Sequence, residues 1–210
     1  MATKVYLSPS DQIKNITARG HSEKHHCKVI AQHAQKYLKQ SGYIVKLGDN
    51  SKEKTYVDRV RESNEWGADV HVCIHTNSGG GEGSEVFCHP SSVNNKYVVN
   101  IYREIAGLTP TKDRGIKTTT SLYEVTKTKA VCVYIEVDFH DDRDIELWID
   151  RNTENIGKAI CNGVLLAEGK SRLKATRYAV QIGNYKLESS AEKVKNKLAK
   201  TYDDCKVIEV

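Results

Sequence analysis

The chain has 210 residues with a formal net charge of +5, 39% hydrophobic and 28% charged. That length suits one domain of about 150–200 residues plus a small appendage, and no run approaches the roughly 18–20 apolar residues of a membrane span. Lys and Arg are scattered rather than interleaved with aromatics, which disfavours nucleic acid while leaving a modest preference for an anionic partner.

Met1-Ala2-Thr3-Lys4 leads straight into an apolar strand, Val5-Tyr6-Leu7, without an apolar leader. The expectation is synthesis in the cytoplasm without a signal peptide. Ser8 to His21 reads as a polar loop. Ser22 is placed to cap a helix whose apolar stripe is Val29, Ile30, Ala34, Tyr37 and Leu38, which puts Glu23 in the first turn. Tyr43 to Leu47 is a strand, and Tyr56, Val57, Val60 and Trp66 mark a second helix stopped by Gly67.

The most informative stretch follows. Val70, Val72 and Ile74 alternate with His71, Cys73 and His75, and Ser78-Gly79-Gly80-Gly81 comes directly after. The pattern predicts a strand ending at His75 and an open glycine loop that a ligand or metal can approach. Glu85 to His89 is a short strand, and Val93 to Leu108 a helix ended by Pro110. After the loop Thr109–Gly115 and the segment Leu122–Val125, the run Val131 to Ile135 carries Glu136 at its end. Asp141-Asp142 then open a long helix through Leu165. Strands alternating with helices predict an α/β domain, a mostly parallel twisted sheet with helices on both faces.

The expected boundaries are a catalytic domain over residues 1–168, a polar linker over 169–176, and a small β-α-β module over 177–210. None of Cys27, Cys73, Cys88, Cys132, Cys161 and Cys205 forms a C-x-x-C pair, so buried free thiols are expected.

Three apolar strands thus end in side chains able to bind metal or move protons: Asp11 after the first, His75 on the third, Glu136 and His140 on the last. A lone strand-end histidine is weak evidence, and Glu23 by itself is also explained as a helix-N-terminal carboxylate. Glu136 is harder to explain away. An acid following a run covered on both faces must be paired, coordinated or catalytic. Glu23, His75 and Glu136 are the residue types of a catalytic zinc site, in which three protein ligands leave one position open and a carboxylate accepts a proton from water.

Val5-Tyr6-Leu7-Ser8-Pro9, Ser22-Glu23 before a helix, Ile74-His75-Thr76-Asn77 with its glycines, and Tyr134-Ile135-Glu136-Val137-Asp138-Phe139-His140 occur in that order. Together they resemble the zinc-dependent N-acetylmuramoyl-L-alanine amidases, the autolysins and endolysins of bacteria and their phages, over about residues 3–168. The resemblance implies a Zn2+ cofactor held by Glu23 and His75, Glu136 as general base, and peptidoglycan as the substrate, reached after lysis or release. It also implies a His ligand after the first strand, where this chain has Ser8-Pro9-Ser10-Asp11-Gln12. His140 is the favoured third ligand, with Asp11 and His21 as alternatives. The other reading is a non-catalytic wall-binding protein that has lost its metal. In the tail, Tyr178 to Tyr185 and an Ala191-led helix resemble half of a sporulation-related glycan-binding repeat, implying either glycan binding or a homodimer.

Overall fold

The computed structural model describes residues 2–51, 53–173 and 188–198. Residues Met1–Leu173 form one compact unit and the remainder a second. The first unit contains a single six-stranded sheet. Its strands are β1 (Lys4–Pro9), β2 (Ile44–Leu47), β3 (Val70–Asn77), β4 (Ser84–Cys88), β5 (Asp113–Thr118) and β6 (Val131–Phe139), in the order β2-β1-β3-β6-β4-β5. All neighbours are parallel except β4 and β6. The predicted α/β class is what the structure shows. The chain steps from β1 outward to β2 and then back to β3, so strand order reverses between β1 and β3. Ligand crevices form at such reversals, outside the carboxyl ends of the strands.

The helices are α1 (Glu23–Gln40), α2 (Tyr56–Trp66), α3 (Lys96–Leu108), α4 (Tyr123–Lys127) and α5 (Arg143–Ala167), with a 3-10 turn at Pro90–Ser92. Ser22 is the N-cap residue of α1, as the sequence implies. Asp142 caps α5 by accepting from the backbone N–H groups of Asp144 and Ile145. Gly67 ends α2 in the left-handed conformation (φ 69°) that favours glycine. Two elements differ from expectation. The third helix starts at Lys96 rather than Val93, because Asn95 is its N-cap, accepting from Tyr97 N–H, while Pro90 sets the preceding turn. Residues 113–118, of mixed polarity, form the edge strand β5; pairing with β4, not periodicity, makes it a strand.

The faces of the sheet differ in chemistry. One carries Val5, Leu7, Val70, Val72, Ile74, Val133, Ile135 and Val137, buried with Ile30, Leu38, Ile101, Ile149 and Ile160 of α1, α3 and α5. By strand alternation the other carries Tyr6, Ser8, His71, Cys73, His75, Tyr134 and Glu136, on the side of α2 and α4. Cys73, Cys132 and Tyr134 form a small separate cluster there with Val125. Cys27, Cys73, Cys88, Cys132 and Cys161 are buried free thiols.

The first unit continues past the expected linker start. Leu173 N–H donates to Asn162 at 2.9 Å, and Arg172 pairs with Glu104. Glu168, the C-cap residue of α5, accepts from Tyr43 (3.0 Å), Tyr97 (3.2 Å) and Thr3, and pairs with Lys170 at 2.9 Å. It ties the last helix to the first strand. In the second unit, α6 (Glu188–Leu198) matches the expected helix. The tail strands expected at 177–185 and 206–210, and Cys205, lie outside the described residues.

Glu168 yields a stability prediction. Burial pushes its carboxyl up, but the bonds from Thr3, Lys170 and Tyr43 outweigh this and hold it at about 2. A depressed folded-state value means the contribution is present above the unfolded value, about 4.3, and is lost as pH falls toward 2. Glu168→Gln is expected to cost about 1–3 kcal/mol at neutral pH, with the gap to wild type narrowing below pH 4. Urea unfolding across that range checks it. An equal deficit at acid and neutral pH would show that the carboxylate charge is irrelevant.

Candidate active site

His75 and Glu136 are register partners on the two central strands, β3 and β6. Their side chains therefore project from the same face at the same level. The His75 ring stacks on Tyr134, centroids 4.4 Å apart. Its Nδ1 lies 2.8 Å from Glu23 Oε1, delivered by the first turn of α1. On the other side, His75 Nε2 lies 3.8 Å from Glu124 Oε2 on α4. The sequence-predicted Glu23, His75 and Glu136 thus converge, and Glu124 joins them.

Electrostatics follow from crowding three acids around one imidazole. Burial disfavours the charged His75 ring, but the carboxylates of Glu124, Glu23 and Glu136 outweigh it and raise the ring to about 10. Glu23 and Glu124 are held ionised, below the usual carboxylate range: burial opposes this, and the hydrogen bonds from His75 to Glu23 and from His71 to Glu124, with the charged His75 ring facing Glu124, prevail. Glu136 goes the other way. Burial pushes it up to about 8, with His75 opposing and Glu23 and Glu85 adding to the rise. Among the described residues neither its enclosed Oε2 nor His75 Nε2 has a hydrogen-bond partner.

The third-ligand candidates are engaged elsewhere. His140, favoured from sequence, is fully buried with both ring nitrogens occupied, Nδ1 with Thr76 Oγ1 at 2.7 Å and Nε2 with Asn15 Oδ1 at 3.2 Å. Asn15 in turn donates to Glu23 Oε2 at 2.7 Å. His140 therefore reaches Glu23 only through Asn15, as an orienting group, and the structure does not place it as a ligand beside Glu23 and His75. Asp11 is drawn off by Arg59, whose guanidinium is buried and needs a counter-charge; the two lie 3.3 Å apart, and Arg59 Nε donates to Ser8 Oγ at 2.8 Å. His21 turns toward Glu146 on α5.

The glycine loop is exposed, as expected, and also anchored: Gly79 and Gly80 N–H both donate to Asp141 Oδ2, at 2.7 and 2.8 Å. Gly81 sits so close to Phe139 that an added Cβ would meet its ring at 2.5 Å. The glycines let β3 and β6 lock together at their ends.

Asn15, Glu124, Thr76 and His71 carried no signal of their own in the sequence. Glu124 accepts from Ser8 Oγ and lies 3.4 Å from His71 Nε2, whose Nδ1 meets Ser63 Oγ at 2.9 Å. A buried acid on a five-residue helix announces itself only once the sheet lies beneath it.

Residues 11–165 match the family described as N-acetylmuramoyl-L-alanine amidase. The chain belongs to that family. It is 30% identical over 138 residues to the N-acetylmuramoyl-L-alanine amidase CwlM of Bacillus licheniformis, covering 64% of this chain and 54% of the relative. It is 29% identical over 154 residues to the sporulation-specific amidase of Bacillus subtilis (strain 168), covering 70% and 59%. The chain thus spans little more than half the length of these curated relatives. Among solved structures, the amidase AmiC2 of Nostoc punctiforme shares the fold with a TM-score of 0.72 at 19% identity, covering 80% of this chain and 98% of that one. The catalytic domain of CwlV from Bacillus (Paenibacillus) polymyxa does so at 0.71 and 22%, covering 80% and 99%.

In this amidase-family chain Glu124 is a keystone, and removing it should show in stability. Glu124→Ala leaves Ser8 and His71 without their acceptor and is expected to destabilise by roughly 3–5 kcal/mol; Glu124→Gln, which keeps an acceptor, should cost less. Equilibrium denaturant unfolding measures both. Equal losses would mean that packing, not the acceptor, is what matters.

Proposed function

We propose that this chain hydrolyses the amide between N-acetylmuramic acid and L-alanine in peptidoglycan. The observation that carries the reading is Glu136 in register with His75, its Oε2 enclosed and unpartnered among the described residues, beside the Glu23–His75 pair. The donors suit a zinc-class cation: a carboxylate, an imidazole with one orphaned nitrogen, and an excess of acid over base that a dication would balance. Glu23 and His75 are the residues that would hold it, and it would supply Lewis acidity toward the scissile carbonyl and toward water.

The remaining work belongs to the protein. Glu136 accepts a proton from the attacking water at Oε2 and returns it to the leaving amine nitrogen. A carboxyl whose burial places it near 8, ionised more readily as positive charge gathers beside it, is suited to both halves of that transfer. Rigidity comes from β6, a central strand with neighbours on both sides. Asn15 and His140 fix the second oxygen of Glu23, and Tyr134 supports the His75 ring.

The diversion of Asp11 to Arg59 supports a second reading, a wall-binding protein without turnover. One substitution separates the two. Glu136→Gln should fold and hold as much zinc as wild type, while release of free L-alanine amino termini from peptidoglycan falls by about a hundredfold or more. Near-normal turnover in a folded, zinc-loaded variant would remove Glu136 from the mechanism, and a wild type that takes up no zinc at Glu23 and His75 and shows no turnover would favour the binding protein. The tail, on its Tyr178–Tyr185 motif alone, we read as a half-repeat that either binds glycan or pairs two copies of the chain.

A further inference from the structure

Beside Glu23 and His75, the loop preceding α1, the first turn of α1 and the first turns of α5 enclose a second group of metal-binding side chains. His21, His26 and Glu146 each present a donor atom, all within 4.8 Å of one another. His21 Nδ1 lies 3.6 Å from Glu146 Oε1, and His26 Nε2 lies 3.9 Å from the same oxygen. Asp150 Oδ1 adds a fourth donor, 3.6 Å from His26 Nε2. These separations are too long for good hydrogen bonds. They are close to the roughly 3.3–3.5 Å between donors placed about 2.0–2.1 Å from one tetrahedral ion.

The hydrogen bonding is equally specific. His26 is fully buried, yet among the described residues neither of its ring nitrogens has a partner, and His21 Nδ1 is also enclosed without one. Buried polar atoms are rarely left this way, and three on two adjoining rings call for a common occupant. Burial holds His26 below its ordinary value, with Asp150 and Glu146 opposing, so the ring is a neutral donor. The acids are already oriented. Glu146 accepts from Thr17 Oγ1 at 2.5 Å and from Arg19 N–H at 2.6 Å, and Asp150 is held by Arg19 at 3.2 Å. Those partners are what ligating carboxylates ordinarily have behind them. The His71, Cys73 and Glu124 group, the other such cluster among the described residues, differs here: both ring nitrogens of His71 are engaged.

We propose that His21, His26 and Glu146, with Asp150 at the rim, form a metal site separate from the Glu23–His75 centre, taking a divalent transition ion of the zinc class. Two imidazoles and a carboxylate are a donor set that zinc accepts, and the partly exposed His21 and Asp150 leave a route for the ion to enter. Its role is structural. The ion staples the loop carrying Asn15 to α5, and so fixes the entry of α1 and the position of Glu23.

The test uses the full chain, stripped with a chelator and titrated with zinc chloride, as wild type, His21→Ala, His26→Gln and His75→Ala. Zinc per chain after gel filtration and zinc-induced change in Tm are read together. Each of the first two variants should hold one ion fewer than wild type and lose this site's share of the thermal shift, whereas His75→Ala should retain it. His21 is partly exposed, so its substitution should fold even if His26→Gln does not. A wild type that gains no stability from zinc, or a His21→Ala chain with wild-type stoichiometry and shift, would overturn the proposal.

Discussion

One buried imidazole holds the site together. His75 has Glu23 on one nitrogen, Glu124 facing the other, and Glu136 beside it in register. Three acids cannot all ionise in an enclosed space around one cation, so their environments sort them. Glu23 and Glu124 receive hydrogen bonds and stay charged. Glu136, whose Oε2 receives none among the described residues, rises to about 8. That division of labour depends on where backbone and neighbours deliver donors, and only Glu136 is left uncommitted.

The sheet explains why these groups can be buried at all. Its α1, α3 and α5 side is filled by aliphatic residues, which supplies the driving force for folding. The α2 and α4 side carries serines, histidines and acids whose partners are mostly one another. Such networks are costly when half satisfied and rigid when complete. Here the path from Ser63 through His71, Glu124 and Ser8 to Arg59 and Asp11 is nearly continuous, and it braces one side of His75.

Much of this was legible in the residues. Alternation in Val70–His75 and the apolar run into Glu136 placed both side chains at strand ends, and Ser22 put Glu23 on the first turn of a helix. The fold class followed from the order of elements. What was not legible depended on tertiary pairing: β5, with its mixed polarity, the buried acid on α4, and Asn15 in a polar loop. Choosing among His140, Asp11 and His21 for a third ligand was beyond the sequence for one physical reason. Each was judged by residue type and nearness in sequence, whereas each is recruited by a group not adjacent to it in sequence: Thr76 and Asn15, Arg59, and Glu146.

The loop after β1 shows how a changed residue alters a site without dismantling it. In place of the histidine that family resemblance leads one to expect, Pro9-Ser10-Asp11 supplies an anion, and a buried guanidinium captures it. Arg59 reaches the loop from α2, across the polar side of the sheet, and its Nε also holds Ser8. The Ser10 hydroxyl adds to the interactions that keep Glu23 ionised. The loop then continues past Asn15 to His21, where α5 binds it through Glu146 and Asp150. Glu23 is thus placed by neighbours on three sides, His75 from the sheet, Asn15 and Ser10 from the loop, and α5 through the loop's far end. A carboxylate so constrained can hold its geometry while the rest of the first-strand loop changes.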